Sequence, residues 1–181
     1  MVHIFLATGF EEIEALTPLD ILRRVNVEAQ LVSCTDDLNV TGCHGISVKA
    51  DVLFDKMTWG AGDALVLPGG MPGAKNLLHH KGLVEAMQKQ HKRGGLLCAI
   101  CAAPMVLGEN GILKGRKATC YPGFETHLVG AHYTACLVEE DENVITGRGP
   151  GAAMEFGFAI AKRYVPAGII GQLRKGMIYD S

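Results

Sequence analysis

The sequence predicts a doubly wound α/β fold, in which a mostly parallel sheet is covered by helices on both faces. Short runs that are apolar throughout are typical of strands buried on both faces. These runs alternate with longer stretches of helical character, which is the pattern of a parallel sheet. No linker or low-complexity stretch interrupts the alternation, so we expect residues 1–181 to form a single domain.

The first half of the chain begins with an apolar run at Val2–Ala7 and a helical stretch that continues to about Val25. Residues 17–20 (TPLD) resemble a helix start, with a Thr cap and Pro at the first position. We therefore expect a break near Pro18, with residues 11–14 in a turn or a first helical turn above the strand. The further elements expected here are a strand at Glu28–Cys34, a hairpin or irregular excursion at Val40–Phe54, a strand at Asp63–Leu67 and a helix at His80–Arg93.

The second half of the chain continues the alternation. A buried strand at Leu96–Ile100 leads through Cys101 directly into a helical run that begins near Ala102. The elements expected after it are strands at Lys117–Tyr121 and Asn143–Thr146 and helices at Ala152–Tyr164 and Ala167–Lys175.

Composition and charge exclude several classes of function. The chain is 48% hydrophobic and 20% charged, with a net charge of −2 and no basic stripe, which argues against a nucleic-acid partner. No apolar run approaches the roughly 20 residues of a membrane span. The N-terminus has no basic region, so it does not predict a signal peptide. We expect a cytoplasmic protein whose six cysteines are reduced thiols.

Residues 96–104 (LLCAICAAP) carry the most chemical information in the sequence. An apolar strand that enters a helix without loop residues predicts a sharp, strained turn at Cys101. The neighbours two places away, Ala99 and Ala103, are small enough to fit such a turn. Free N–H groups at the start of the following helix favour a thiolate and can hold a developing oxyanion. The pattern therefore predicts a nucleophile at Cys101.

This motif has three other interpretations, and the sequence argues against two of them. Cys101 fits an ordinary core cysteine, because free cysteines are often buried. Cys98 and Cys101 form a C-x-x-C pair. A redox pair requires its first cysteine at the start of the helix, whereas Cys98 lies inside the apolar run. No second cysteine pair or spaced histidine pair accompanies them, so the sequence predicts no metal site.

Four motifs together carry a resemblance to a known family. They are residues 9–14 (GFEEIE), 66–70 (VLPGG), 99–104 (AICAAP) and 147–151 (GRGPG). The chain resembles the ThiJ/PfpI superfamily, and most of all the branch that contains the parkinsonism-associated protein deglycase and bacterial YajL. The resemblance extends over nearly the whole chain. It implies a flavodoxin-like sandwich, a homodimer and a reactive cysteine at the turn.

The resemblance assigns the two central roles. Cys101 matches the family's reactive cysteine, and Glu14 matches the carboxyl group that hydrogen-bonds to its sulfur. On the residues alone, Glu11, Glu12 and Glu14 are equal candidates, and Glu11 and Glu12 also suit a solvated or helix-capping role. A carboxyl group kept protonated by burial can donate a hydrogen bond to sulfur and exchange a proton with substrate.

The resemblance also implies a substrate pocket. Gly70 and Ala102 correspond to the backbone N–H donors of the family's oxyanion pocket. Arg148, in a glycine-rich segment before a helix, is a candidate for anion binding or for a structural ion pair. The segment lacks the G-x-G-x-x-G spacing of a dinucleotide site. Tyr121 stands where this branch has a histidine, so we expect it to line the pocket and not to act as a base.

Two departures from the pattern of relatives argue against peptidase and amidotransferase activity. Peptidase-like members have a histidine where this chain has Ala102, and similar amidotransferases need a late His-x-Glu pair that this sequence lacks. Two hypotheses follow. The first is a cofactor-free glyoxalase or deglycase that acts on methylglyoxal-like dicarbonyls through Cys101 and Glu14. The second is an oxidative-stress sensor or chaperone that works through oxidation of Cys101 without turnover.

Overall fold

The computed structural model describes residues 1–179, and residues 180–181, which end the expected single domain, lie outside the described residues. Eleven strands are present in this part of the chain. They are β1 (Val2–Leu6), β2 (Ala29–Ser33), β3 (Asn39–Thr41), β4 (Ser47–Lys49), β5 (Val52–Leu53), β6 (Ala64–Leu67), β7 (Leu97–Ile100), β8 (Lys117–Ala118), β9 (His132–Tyr133), β10 (Val138–Asp141) and β11 (Val144–Gly147). The α-helices are α1 (Glu12–Arg24), α2 (Gly73–His79), α3 (Lys81–Lys92), α4 (Pro104–Glu109), α5 (Ala153–Ala161) and α6 (Ala167–Gly176).

Seven of the strands form one central sheet, in the order β10-β11-β7-β6-β1-β2-β5. Neighbouring strands are parallel except for β10, which runs antiparallel to β11 at one edge. The central strands β1, β6 and β7 are buried along their whole length. A strand buried on both faces must be apolar throughout, and this is the reason that these runs could be recognised in the sequence.

Helices cover both faces of this sheet, as the sequence predicts. Ile4 and Val66 point into a core with the buried residues of α1, α5 and α6. Phe5 and Leu65, one position along each strand, point into a second core with those of α2, α3 and α4. The alternation follows from the two-residue repeat of a strand. None of the helices in the described part of the chain is long and apolar enough to cross a membrane.

Helix α1 is continuous through Pro18, so the predicted break is wrong. A proline inside a helix removes one hydrogen bond and crowds the preceding turn. Packing against α5 supports the helix here, because Gly157 allows the two helices to approach closely. A Cβ atom at Gly157 would lie 2.6 Å from Ile21 Cδ1 and 3.2 Å from Pro18 Cα. Tertiary packing therefore sustains the helix where local preference predicts a new start.

The strand predicted at Lys117–Tyr121 is present only over its first two residues. Only β8 is extended, and it pairs with β9 in a separate two-stranded sheet. Thr119 N–H donates to the side chain of Thr146 at 2.9 Å instead of joining a strand ladder. The place beside β11 belongs to β10, whose sequence VEED is too acidic to predict a strand. Such a strand is tolerated because it lies at the half-exposed edge of the sheet.

The other predicted elements are present with small shifts at their ends. The excursion expected at Val40–Phe54 is an antiparallel hairpin of β3 and β4, followed by β5 at the edge of the main sheet. The helix expected at His80–Arg93 is α3, which has His80 and Arg93 as its flanking caps. Helix α2 was not predicted, because its short sequence shows no clear apolar periodicity.

Candidate functional site

Cys101 directly follows β7 and lies in the sharp turn that the sequence predicts. Its φ angle is +65°, in a region that residues other than glycine seldom adopt. Two backbone hydrogen bonds hold the turn: Cys101 N–H donates to the Gly147 carbonyl at 2.9 Å, and Tyr121 N–H donates to the Cys101 carbonyl at 2.9 Å. Cys101 therefore has a fixed, strained backbone above the carboxyl end of the sheet.

Glu14 is the acidic residue that the structure brings to Cys101. It lies in the first turn of α1 and is fully buried. Gly69 N–H donates to Glu14 Oε2 at 2.8 Å. A Cβ atom at Gly69 would lie 2.7 Å from both Cys101 Cβ and Glu14 Oε2. Gly69 therefore lies between the two side chains, and a larger residue would push them apart. The sequence interpretation named Gly70 but missed Gly69, whose contact with Glu14 spans 55 positions.

The second carboxyl oxygen of Glu14, Oε1, is buried and accepts no hydrogen bond of normal geometry. The Cys101 thiol is nevertheless close enough to affect the Glu14 pKa. Burial raises that pKa to about 7, against the opposing effects of the thiol and of Gly69 N–H. A carboxyl group with this pKa accepts and returns a proton near neutral pH.

The surroundings of Cys101 oppose the expected thiolate. Burial and the negative charge of Glu14 raise the pKa of the thiol. The backbone N–H groups of Gly70 and Ala102 lower it, but they do not outweigh the first two effects. The interpretation from the helix start could not include the loss of solvent around a side chain that is 9% exposed, and the thiolate stays a prediction.

Gly70 and Ala102 direct their N–H groups at the Cys101 sulfur. Gly70 has a φ angle of +82°, and a side chain there would overlap the backbone of Gly9 and Phe10. Glycine is therefore required at this position. N–H groups this close to the sulfur can also stabilise negative charge on an oxygen of an adduct formed there, and their role as an oxyanion pocket stays a prediction.

Tyr121 and Arg148 line another cavity, of about 250 Å³. Arg148 is exposed, and its Nη1 donates to the Ala135 carbonyl at 3.1 Å. The Tyr121 ring packs over Gly149 and is 46% exposed. The remaining lining residues are Pro122, Leu137 and residues 149–152. The backbone of Tyr121 thus contacts Cys101, whereas the side chains of Tyr121 and Arg148 line this separate, shallow cavity.

The other cysteine of the C-x-x-C pair is buried within β7. Cys98 is fully buried, and burial raises the pKa of its thiol. All six cysteines are free, so Cys98 and Cys101 form no disulfide. The geometry agrees with the interpretation that Cys98 is an inert core residue.

A second cluster of reactive side chains was not predicted. Glu11 and Glu12 are buried, with 8% and 5% exposure, so the solvated role is wrong. Of the helix-capping role, the structure shows that Glu11 is the N-cap residue of α1, but its side chain makes no capping hydrogen bond. They contact Cys43 and His44 in the turn between β3 and β4. Burial raises the Glu12 pKa, but hydrogen bonds from His44, from its own backbone and from Ile46 N–H outweigh this effect and lower the pKa to about 2. About thirty positions of chain separate Glu11 and Glu12 from Cys43 and His44, so no local spacing of residues predicts the cluster.

Comparisons with known proteins agree with the motifs. The profile of the DJ-1/PfpI family matches residues 1–163. The DJ-1 homolog B of Arabidopsis thaliana is 39% identical over 164 residues, which cover 90% of this chain but only 37% of that relative's length. A deglycase of Pyrococcus horikoshii is 35% identical over 146 residues, which cover 80% of this chain and 87% of the relative.

The fold comparison gives the same result. The solved structure of oxidised DJ-1 from Toxoplasma gondii superposes with a TM-score of 0.92 at 30% identity, and the match covers 99% of this chain and 98% of that one. The mostly parallel sheet with helices around it is thus the architecture of DJ-1 structures. From the profile match and the shared fold, the chain belongs to the DJ-1/PfpI family.

Proposed function

We propose that this protein is a cofactor-independent glyoxalase or deglycase that acts on methylglyoxal-like dicarbonyls or their adducts. The observation that carries the proposal is the buried pair of Cys101 and Glu14, held together across Gly69. A nucleophile, an acid–base group and N–H donors are the parts that such chemistry needs. The deglycase name of the Pyrococcus horikoshii relative supports the same class of reaction.

The first step is attack of the Cys101 sulfur on the aldehyde carbon. Because the thiol pKa is raised, its proton must leave as the C–S bond forms. The Glu14 carboxylate takes this proton and passes it to the aldehyde oxygen, which gives a hemithioacetal. The N–H groups of Gly70 and Ala102 stabilise the negative charge that develops on this oxygen.

The second step is an internal redox exchange between the two substrate carbons. Glu14 removes the proton from the carbon that bears sulfur, which gives an enediol, and returns it to the adjacent carbon. The hydroxyl proton on the sulfur-bearing carbon passes to the former ketone oxygen, so the product is a thioester of a 2-hydroxy acid. Water then hydrolyses the thioester, which releases the hydroxy acid and restores the thiol. The overall reaction adds one water to the dicarbonyl and needs no external oxidant, reductant or metal ion.

The second candidate function is an oxidative-stress sensor or chaperone that acts through Cys101. A protonated Glu14 could donate a hydrogen bond to an oxygen added to the sulfur, and the Toxoplasma gondii relative was solved in an oxidised form. Low exposure and a raised pKa of the Cys101 thiol oppose oxidation and nucleophilic attack alike. The deglycase names of the two Pyrococcus relatives are what favour the enzyme. The homodimer and the cytoplasmic location stay predictions.

The proposal is tested by lactate formation from methylglyoxal with purified, reduced protein. We expect Cys101→Ser to abolish turnover and Glu14→Gln to lower kcat by about 10²-fold or more. Cys136→Ser, which changes an exposed cysteine outside the site, should leave turnover unchanged. If a folded wild-type protein with reduced Cys101 forms no lactate, the enzyme proposal is wrong. Measurement of Cys101 oxidation by peroxide would then test the second candidate.

A further inference from the structure

Four side chains of ligand chemistry meet where the turn of the β3–β4 hairpin lies against the start of α1. Glu11 and Glu12 contribute buried carboxylates, and Cys43 and His44 contribute an exposed thiol and imidazole. One ligand atom from each residue lies within 4.8 Å of all the others. The cluster is separate from the Cys101–Glu14 pair, and the proposed reaction makes no use of it.

The distances in this cluster match those of a tetrahedral zinc site. Zinc bonds of about 2.0–2.3 Å place neighbouring ligand atoms about 3.3–3.6 Å apart. Cys43 Sγ lies 3.1 Å from Glu11 Oε2, 3.6 Å from Glu12 Oε2 and 3.3 Å from His44 Nδ1. His44 Nδ1 lies 2.9 Å from Glu12 Oε2 and 3.6 Å from Glu11 Oε1. The short distances to Glu11 involve its two different oxygens, and a set of one atom per residue lies within 4.8 Å of one another, so side-chain shifts of about 1 Å would bring four ligand atoms to tetrahedral spacing.

The backbone positions Glu12 for such a role. Glu12 Oε1 accepts the N–H of His44 at 2.9 Å and the N–H of Ile46 at 3.4 Å, which leaves Oε2 directed at the thiol and the imidazole. A side chain at Gly42 would overlap the Glu12 carboxylate, so glycine is needed beside it. Cys43 is fixed in turn by its N–H, which donates to the Phe10 carbonyl at 2.8 Å. Outer hydrogen bonds of this kind orient the ligands of metal sites.

We propose that Glu11, Glu12, Cys43 and His44 bind one Zn²⁺ ion. Magnesium and calcium prefer oxygen ligands alone, whereas a thiolate, an imidazole and carboxylates together suit zinc. Binding releases the Cys43 thiol proton to solvent as the sulfur–zinc bond forms. The ion would join the hairpin to α1 and stabilise the folded chain by mass action. This proposal stands independently of the proposed enzymatic function.

The test is a competition titration of metal-free protein with Zn²⁺ against a chromophoric chelator. It is made in a Cys101→Ser background, because Cys101 and Glu14 are another thiol–carboxyl pair that could take the ion. We expect one Zn²⁺ per chain, with affinity at least tenfold weaker after Cys43→Ser and after His44→Asn. The matched controls Cys136→Ser and His132→Asn change an exposed cysteine and an exposed histidine outside the cluster and should not alter the affinity.

A second measurement identifies the ligand directly. Co²⁺ bound in place of Zn²⁺ should show a thiolate-to-cobalt absorption band that Cys43→Ser removes, and circular dichroism confirms that each variant is folded. Unchanged zinc affinity in either Cys43→Ser or His44→Asn would overturn the proposal. The absence of zinc binding in the Cys101→Ser background would also overturn it, because zinc bound only by the wild type would then belong to the Cys101–Glu14 pair.

Discussion

The substitution Gly69→Ala tests whether the separation of Cys101 and Glu14 controls activity. The added Cβ would lie 2.7 Å from Cys101 Cβ, 2.7 Å from Glu14 Oε2 and 2.9 Å from the Ile100 carbonyl oxygen. Ordinary contacts of this kind begin at 3.4 Å, so Cys101 Cβ and Glu14 Oε2 must each move away from the new Cβ by about 0.7 Å. A misplacement of about 1 Å costs roughly 10²-fold in rate, and overpacking of this kind costs about 1–3 kcal/mol of stability.

The assay is kcat/KM for lactate formation, with urea unfolding measured on the same samples. We expect Gly69→Ala to lose roughly 10²-fold in kcat/KM and to remain folded. Gly171→Ala is the matched control, because it makes the same change in exposed α6 with no atom within 4 Å of the new Cβ. It should keep full activity and raise the free energy of unfolding by about 0.5–1 kcal/mol. Full activity in a folded Gly69→Ala protein would refute the requirement for this geometry.

Two further predictions concern stability. Because the Glu14 pKa is raised to about 7 in the folded chain from 4.5, its stabilising contribution is complete at low pH and is lost as pH rises through about 7. Gln does not titrate, so between about pH 4.5 and pH 7 the free energy of unfolding of Glu14→Gln should rise by about 3 kcal/mol relative to that of the wild type, measured by urea unfolding. A difference between the two proteins that does not change with pH would contradict this. Gly157→Ala should lower the free energy of unfolding by about 1–3 kcal/mol in the same measurement, because its Cβ would lie 2.6 Å from Ile21 Cδ1. An unchanged unfolding midpoint would show that α1 and α5 are not tightly packed there.

Local sequence was sufficient for features that short-range physics controls. The strands β1, β6 and β7 were recognised because burial on both faces requires an unbroken apolar run. The turn at Cys101 was recognised because no loop residue separates β7 from the helical run and its neighbours are small. Glu14, in contrast, was selected by family resemblance, since Glu11 and Glu12 carry the same functional group.

Only the tertiary structure decided features that depend on contacts between distant segments. Packing on α5 keeps α1 helical through Pro18, and the hydrogen bond from Gly69 places Glu14 at the thiol across 55 positions of chain. Removal from solvent raises the pKa of Cys101, although the helix start by itself favours a thiolate. The cluster of Glu11, Glu12, Cys43 and His44 likewise forms only when the hairpin meets α1. Burial and long-range proximity are properties of the packed chain, and no local spacing of residues encodes them.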